Sequence, residues 1–138
     1  MINLSISGGN LKQRKHVERA VRFCLDELIP NTRAIKLKIE LKKMHDFGSV
    51  VATSDYNGFD MELNKKQSLG MLLKTVMHEM AHVKQSIKKE WTTYYSKCYW
   101  KGVDHTDTSY SQQPWERQAY RMQNKLYDGY KSLYKIKD

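Results

Sequence analysis

Residues 72–89 read LLKTVMHEMAHVKQSIKK, which sets His78 and His82 four positions apart with Glu79 directly after the first histidine. On an α-helix, positions i and i+4 stand on one face about one turn apart, so two imidazole nitrogens there can converge on one ion. Zinc accepts such nitrogens at about 2.0–2.1 Å. Glu79 is rotated by roughly 100° from His78, because a turn holds 3.6 residues, so it stays off the ion. Its longer side chain can still reach a water held in an open metal position. Two ligands plus a general base is the chemistry that the H-E-x-x-H spacing encodes. The segment His78-Glu79-Met80-Ala81-His82 matches it.

A catalytic zinc ion takes three protein ligands and keeps one position open. After the motif the chain offers Asp104, His105, Asp107 and Glu116. A His₂Glu centre draws its glutamate from a following helix. Glu116 opens a predicted helix, and the small Ala119 one turn later allows close approach to the motif helix. His105 falls in a loop and is less rigidly placed. The expectation is one Zn²⁺ per chain, held by His78, His82 and Glu116, with Glu79 as general base. Tyr110, Tyr120 and His105 are candidates to stabilise an oxyanion. Tyr110 is preferred because it precedes the ligand helix in a loop.

The motif needs a helix, and residues 68–89 supply its pattern. Ser68 suits the N-cap, and Leu69, Leu72, Val76, Met80, Val83 and Ile87 form one apolar stripe. His78, His82 and Gln85 lie on a different face. Residues 10–29 predict a further helix, capped by Asn10 and stopped by Pro30, with Leu11, Val17, Ala20, Val21, Cys24 and Leu28 on its apolar side. Residues 34–42 alternate with period two. Ile35, Leu37, Ile39 and Leu41 point one way, and Lys36, Lys38, Glu40 and Lys42 the other, which predicts a half-buried strand. Two more strands are expected, over 48–53 and in the segment FDMEL. Asn57-Gly58 lies between them, a dipeptide that favours a tight hairpin because both residues tolerate positive φ. Residues 91–100 are aromatic and β-prone, and 101–113 read as a loop. Pro114 starts the last helix, with Glu116 in its first turn and Trp115, Ala119, Met122, Leu126 and Leu133 on one stripe. The fold class is therefore α+β in one domain over 1–138. It has an N-terminal helix, a small, mostly antiparallel sheet, the motif helix and a C-terminal ligand helix.

The segments HEMAHVKQ and YSQQPWERQAY together resemble the small H-E-x-x-H…E metallopeptidases, the minimal gluzincins, and in particular compact SprT-like or phage-type metallopeptidase domains. In those domains a histidine-motif helix is followed by a W-x-G hairpin and a P-W-E-x-x-A helix. Trp100-Lys101-Gly102 and Pro114-Trp115-Glu116-Arg117-Gln118-Ala119 match these elements. The resemblance spans roughly residues 58–123 and implies a zincin-like fold and zinc-dependent hydrolysis of a peptide or protein substrate. It carries His78, His82 and Glu116 over as ligands and Glu79 as the base. The better-known SprT-like enzymes take a third histidine where this chain has a glutamate, so their DNA-repair substrates do not carry over. The FDMEL strand is expected to be the sheet edge that binds substrate as an added strand.

Composition bounds the alternatives. The chain has 138 residues, 40% apolar and 28% charged, as in ordinary soluble domains. No apolar run is long enough to cross a membrane, and the N-terminus lacks a signal-peptide pattern, so a cytoplasmic protein is expected. The two cysteines, Cys24 and Cys98, form no C-x-x-C pair, which excludes a cysteine zinc ribbon. Cys24 lies on an apolar stripe and is expected in the core. The net charge of +9 favours polyanionic or acidic partners. Lys12, Arg14, Lys15, Arg19 and Arg22 on one helix, with Lys36, Lys38 and Lys42 on one strand face, are the expected basic surface. A second function class is thus a catalytically weak, metal-containing module that binds nucleic acid or an acidic protein through that surface. The intact Glu79 favours the enzyme, since a pure binding module has no use for the base. A zinc nuclease would want another histidine soon after His82, and VKQSIKKEW has none.

Overall fold

Ile35, Leu37, Ile39 and Leu41 all turn to one side of strand β2 (Ile35–Lys42) and are no more than 3% exposed. Lys36, Lys38 and Glu40 on the other side are open to solvent. The half-buried strand is thus as the alternation predicts. The structure, a computed structural model, describes residues 1–135; residues 136–138 of the expected domain lie outside the described residues.

The sheet around β2 differs from the expectation. Strands β1 (Ile2–Gly8), β2, β3 (Gly48–Ala52) and β4 (Gly58–Asn64) lie in the order β1-β2-β4-β3. β1 and β4 both run parallel to β2, and only β3 is antiparallel, to β4. The sheet is therefore mixed rather than mostly antiparallel, and it has a strand that the sequence reading passed over. The physical cause is connectivity. Helix α1 (Leu11–Leu28) joins β1 to β2 as a crossover, which forces the two strands parallel. After β2 the chain does not turn back in a tight hairpin. Asn64 donates its side-chain amide to the carbonyls of Met44 and Asp46, at 3.0 and 3.1 Å, and holds the 43–47 loop aside. β4 fills the place beside β2, so the FDMEL strand is interior and the edges are β1 and β3.

The β3–β4 connection is a hairpin, as Asn57-Gly58 suggested, but not a two-residue one. The Thr53 amide donates to the Gly58 carbonyl at 2.9 Å, leaving residues 54–57 as the loop. Only Asn57 takes a positive φ, 48°. Gly58 is needed for space, since a Cβ there would meet the side chains of Thr53 and Asp55.

Two helices pack on one face of the sheet, and the third packs mainly against them. In α1, Asn10 and Gln13 form a reciprocal capping box. Val17, Ala20, Val21 and Cys24 are fully buried, whereas Leu11 is 58% exposed because it precedes the part of α1 that meets the core. Helix α2 (Leu69–Ile87) is capped by the Ser68 hydroxyl, which accepts from the Met71 amide at 3.2 Å. Its expected stripe packs into the common core. Helix α3 (Pro114–Tyr134) starts on Pro114 and packs along α2. The expected stripe holds at Trp115, Ala119 and Leu126 but not at Leu133, which is 62% exposed. Tyr130 and Tyr134 turn toward α1 in its place. Tyr130 meets Phe23 edge-on, and Arg19 donates to the Tyr130 hydroxyl at 2.8 Å and lies 4.2 Å over the Tyr134 ring. Between α2 and α3, β5 (Trp91–Tyr94), β6 (Lys97–Trp100) and β7 (Val103–Asp104) form a small antiparallel sheet. The Lys101-Gly102 turn joins its last two strands, with φ of 50° and 84°.

This layering divides the expected basic surface. The lysines of β2 stand on the sheet face away from the helices, and the cations of α1 stand on the helical side, so the two sets face opposite sides of the protein. Lys36 and Lys42 are also paired, with Asp55 and Glu62, each at 3.0 Å. No helix among the described residues is long and apolar enough to cross a membrane.

Gly8 ends β1 with a φ of 78°, and a Cβ there would run into the Leu41 carbonyl of β2. Gly8→Ala should lower stability by about 2 kcal/mol or more, from left-handed backbone strain plus the clash. Chemical denaturation checks this, and an unchanged midpoint would contradict it.

Candidate metal centre

The motif helix is buried on two sides. One side of α2 rests on the sheet through Leu72, Val76, Met80 and Val83, and the other faces α3 and the small sheet. Glu79 and His82 are 7% and 6% exposed, so these are not surface groups. Burial of both sides follows from α3, which lays Ala119, 0% exposed, in the contact. That close approach brings the first turn of α3 down onto the histidine face.

Glu116 arrives between the two imidazoles. Its Oε1 is 3.0 Å from His78 Nε2, and its Oε2 is 3.3 Å from His82 Nε2. Among the described residues, His78, His82 and Glu116 form one cluster able to hold a metal ion, with ligand atoms within 4.8 Å of one another. His105 is not part of it. His105 contacts Thr108 through Nδ1 at 3.0 Å and meets the Trp115 ring edge-on.

The far nitrogens of both rings are anchored. Gln85 donates from Nε2 to the Trp115 carbonyl at 2.9 Å and to Gln118 Oε1 at 3.0 Å. Its Oε1 is thereby directed to His82 Nδ1, 2.8 Å away, which must carry the ring proton. Gln123 Oε1 stands 3.0 Å from His78 Nδ1. With Nδ1 protonated, His82 Nε2 facing the carboxylate either carries a second proton or opposes lone pair to lone pair. A cation between them satisfies both atoms. The spacing fits such an ion, since two bonds of 2.0–2.1 Å at a tetrahedral angle separate their donor atoms by about 3.4 Å. Gln85 and Gln123 thus orient the two imidazole rings, as outer groups do in metal sites generally.

The electrostatics follow the geometry. Burial alone would lower the pKa of His82, but its hydrogen bond and charge interaction with Glu116, helped by Gln85 and Glu79, raise it above 6.5. Burial alone would raise Glu116, but hydrogen bonds and charge from His78 and His82 outweigh this and hold it at about 2. For Glu79, burial raises the pKa, the two histidines pull it down, and Glu116 adds to the rise; the net shift is upward. Glu79 does not join the cluster, as its rotation around the helix required.

Aromatic groups wall the centre. Tyr120 packs edge-on to His78 at 4.6 Å, and Trp91 lies 5.0 Å from His82 while stacking on Trp115. The Tyr110 hydroxyl, in a 3-10 turn over Tyr110–Gln112, is 3.5 Å from Glu116 Oε1 and 3.2 Å from the Tyr120 hydroxyl. The sequence reading assigned no part to Gln123 and left Gln85 without a function. Their signal was helical spacing: Gln85 follows His82 by three residues, and Glu116, Tyr120 and Gln123 share one face of α3. No family model matches the chain, nor does any curated protein or solved structure.

The two shifts predict a pH window for the metal-free protein. A raised His82 stabilises the fold fully below 6.5 and ceases to do so as pH rises through its folded pKa. A depressed Glu116 stabilises above 4.5, and this is lost as pH falls toward about 2. Their pairing is strongest between 4.5 and 6.5. In chelator, melting temperatures of wild type and Glu116→Gln should differ most in that window; a difference flat with pH would contradict the pairing. Gln85→Leu should weaken metal binding by about 10- to 100-fold through loss of ligand orientation, as isothermal titration with Zn²⁺ or Co²⁺ would report.

Proposed function

We propose that the protein is a zinc-dependent metallopeptidase of zincin-like fold, with His78, His82 and Glu116 as ligands and Glu79 as general base. One observation carries the reading: a carboxylate from a second helix sits between two histidines whose far nitrogens are anchored, while a buried glutamate beside them stays off the cluster. Two histidines with one carboxylate, leaving room for water and substrate, are the donor set of hydrolytic zinc.

Bound zinc would lower the pKa of a water toward about 7 and polarise the scissile carbonyl. Glu79 takes a proton from the attacking water and delivers it to the leaving amine. Burial suits it to this, because an upward shift brings a carboxylate nearer the pH at which it must both accept and release the proton. Tyr110 donates to the developing oxyanion, a role supported by its hydroxyl lying 3.5 Å from Glu116 Oε1. Substrate is held as an added strand on β3, which of the two edge strands, β1 and β3, is the one that packs against α2.

Purified protein should carry one zinc per chain. His82→Ala and Glu116→Ala should lose it. Glu79→Gln should fold and keep its metal but lose hydrolysis by at least about 100-fold, the low end of what a placed base supplies. Elemental analysis and cleavage of an unstructured protein such as casein test this. Equal cleavage by wild type and Glu79→Gln would overturn the assignment of the base.

A further inference from the structure

Beside the proposed centre lies a cleft of about 630 Å³, within the usual range of ligand sites. It is lined by the 45–48 segment with Asp46 and Phe47, by Tyr110 and Tyr120, and by Thr75 and Glu79 of α2. Its charge is the reverse of the chain's. Lysine and arginine together number 24 in the sequence, yet none of those described lines this cleft, whereas two carboxylates do.

The two carboxylates differ in their surroundings. A bound divalent ion would be offset by Glu116 and Glu79, which leaves Asp46 as the unbalanced charge on the wall. Asp46 is exposed, and its backbone is pinned: Asn64 donates to the Asp46 carbonyl at 3.1 Å, and Gln67 to the Phe47 carbonyl at 3.1 Å. Phe47 is 60% exposed on that pinned loop. A carboxylate next to an open aromatic face suits a long side chain ending in a cation, since the stem covers the ring and the head meets the carboxylate. An acidic residue would meet Asp46 with no lysine or arginine to offset it, the neighbouring base on that segment being His45.

We infer that this cleft takes a lysine or arginine side chain of the peptide, next to the bond that is cut. The inference rests on the metallopeptidase reading and names its substrate class: peptides and unfolded segments with a basic residue at that position.

The test uses the zinc-loaded full chain with a degenerate peptide pool, and mass spectrometry to read the cut sites. Lysine and arginine should be enriched at one position flanking the cut, and acidic residues depleted. On matched peptides, Asp46→Lys should lower kcat/KM for the arginine peptide by up to about fivefold, the most that one exposed charge contact supplies, and should raise it for the glutamate peptide. Cleavage without basic enrichment, or an Asp46→Lys variant with unchanged preference, overturns the inference and leaves the peptidase standing. A second readout does not need turnover: N-acetylarginine amide, titrated into the zinc-loaded protein, should shift the backbone resonances of Phe47 and Gly48, and N-acetylglutamate amide should not. If no peptide is cut while arginine amide still binds there, the peptidase reading fails and the cation preference of the cleft holds. Equal shifts from both amides, or none, overturn the preference.

Discussion

The placement of Glu116 between His78 and His82 is the constraint around which the rest of the protein is arranged. Two helices distant in sequence must meet to within hydrogen-bond distance at their polar faces, and such faces do not associate without apolar support. Support comes from both ends of α3. Ala119 lets the backbones approach near the centre, and Tyr127 and Tyr130 sink into the core further along. Trp91 stacked on Trp115 closes the remaining side. Gln85, wholly buried, ties the His82 ring to the backbone of α3, so helix packing and ligand orientation are one arrangement.

Buried polar groups are costly unless partnered, and the contact between α2 and α3 shows how the cost is offset. Lys84 is 7% exposed and reaches Glu90 at 2.7 Å and Gln118 at 3.3 Å. Gln118 also accepts from Gln85. A chain of polar contacts thus runs from the Lys84–Glu90 pair to the His82 ring. Removing a member would leave its neighbours buried and unpaired, which makes the network a device for holding one geometry rather than a source of net stability.

Sheet topology decides where a substrate could lie. With β4 inserted beside β2, the edge on that side belongs to β3, and the loop leading into β3 carries Asp46 and Phe47 to the cleft. The same ordering leaves one face of the sheet open, where Lys36 and Lys42 are paired with acidic neighbours. Among the described residues, no lysine or arginine lines the cleft.

Local pattern was enough for most of the elements, though not for β1 or β7, and for the three residues that the structure brings into one cluster. The 3.6-residue stripe of α2, its Ser68 cap, the alternation in β2 and the Pro114 start of α3 are properties of neighbouring residues, and they appear in the structure as the sequence implies. The spacing of His78 and His82 likewise follows from helix geometry alone, and Glu116 could be chosen because a ligand at a helix start is well positioned. Strand order could not be read this way. Ile2, Leu4 and Ile6 alternate like any strand, but only pairing with β2 shows where they belong, and the inner position of β4 depends on Asn64 holding a loop distant in sequence. The exposure of Leu133 and the separation of the two basic sets were also decided by packing, because helical periodicity says which residues share a face and not what that face will meet.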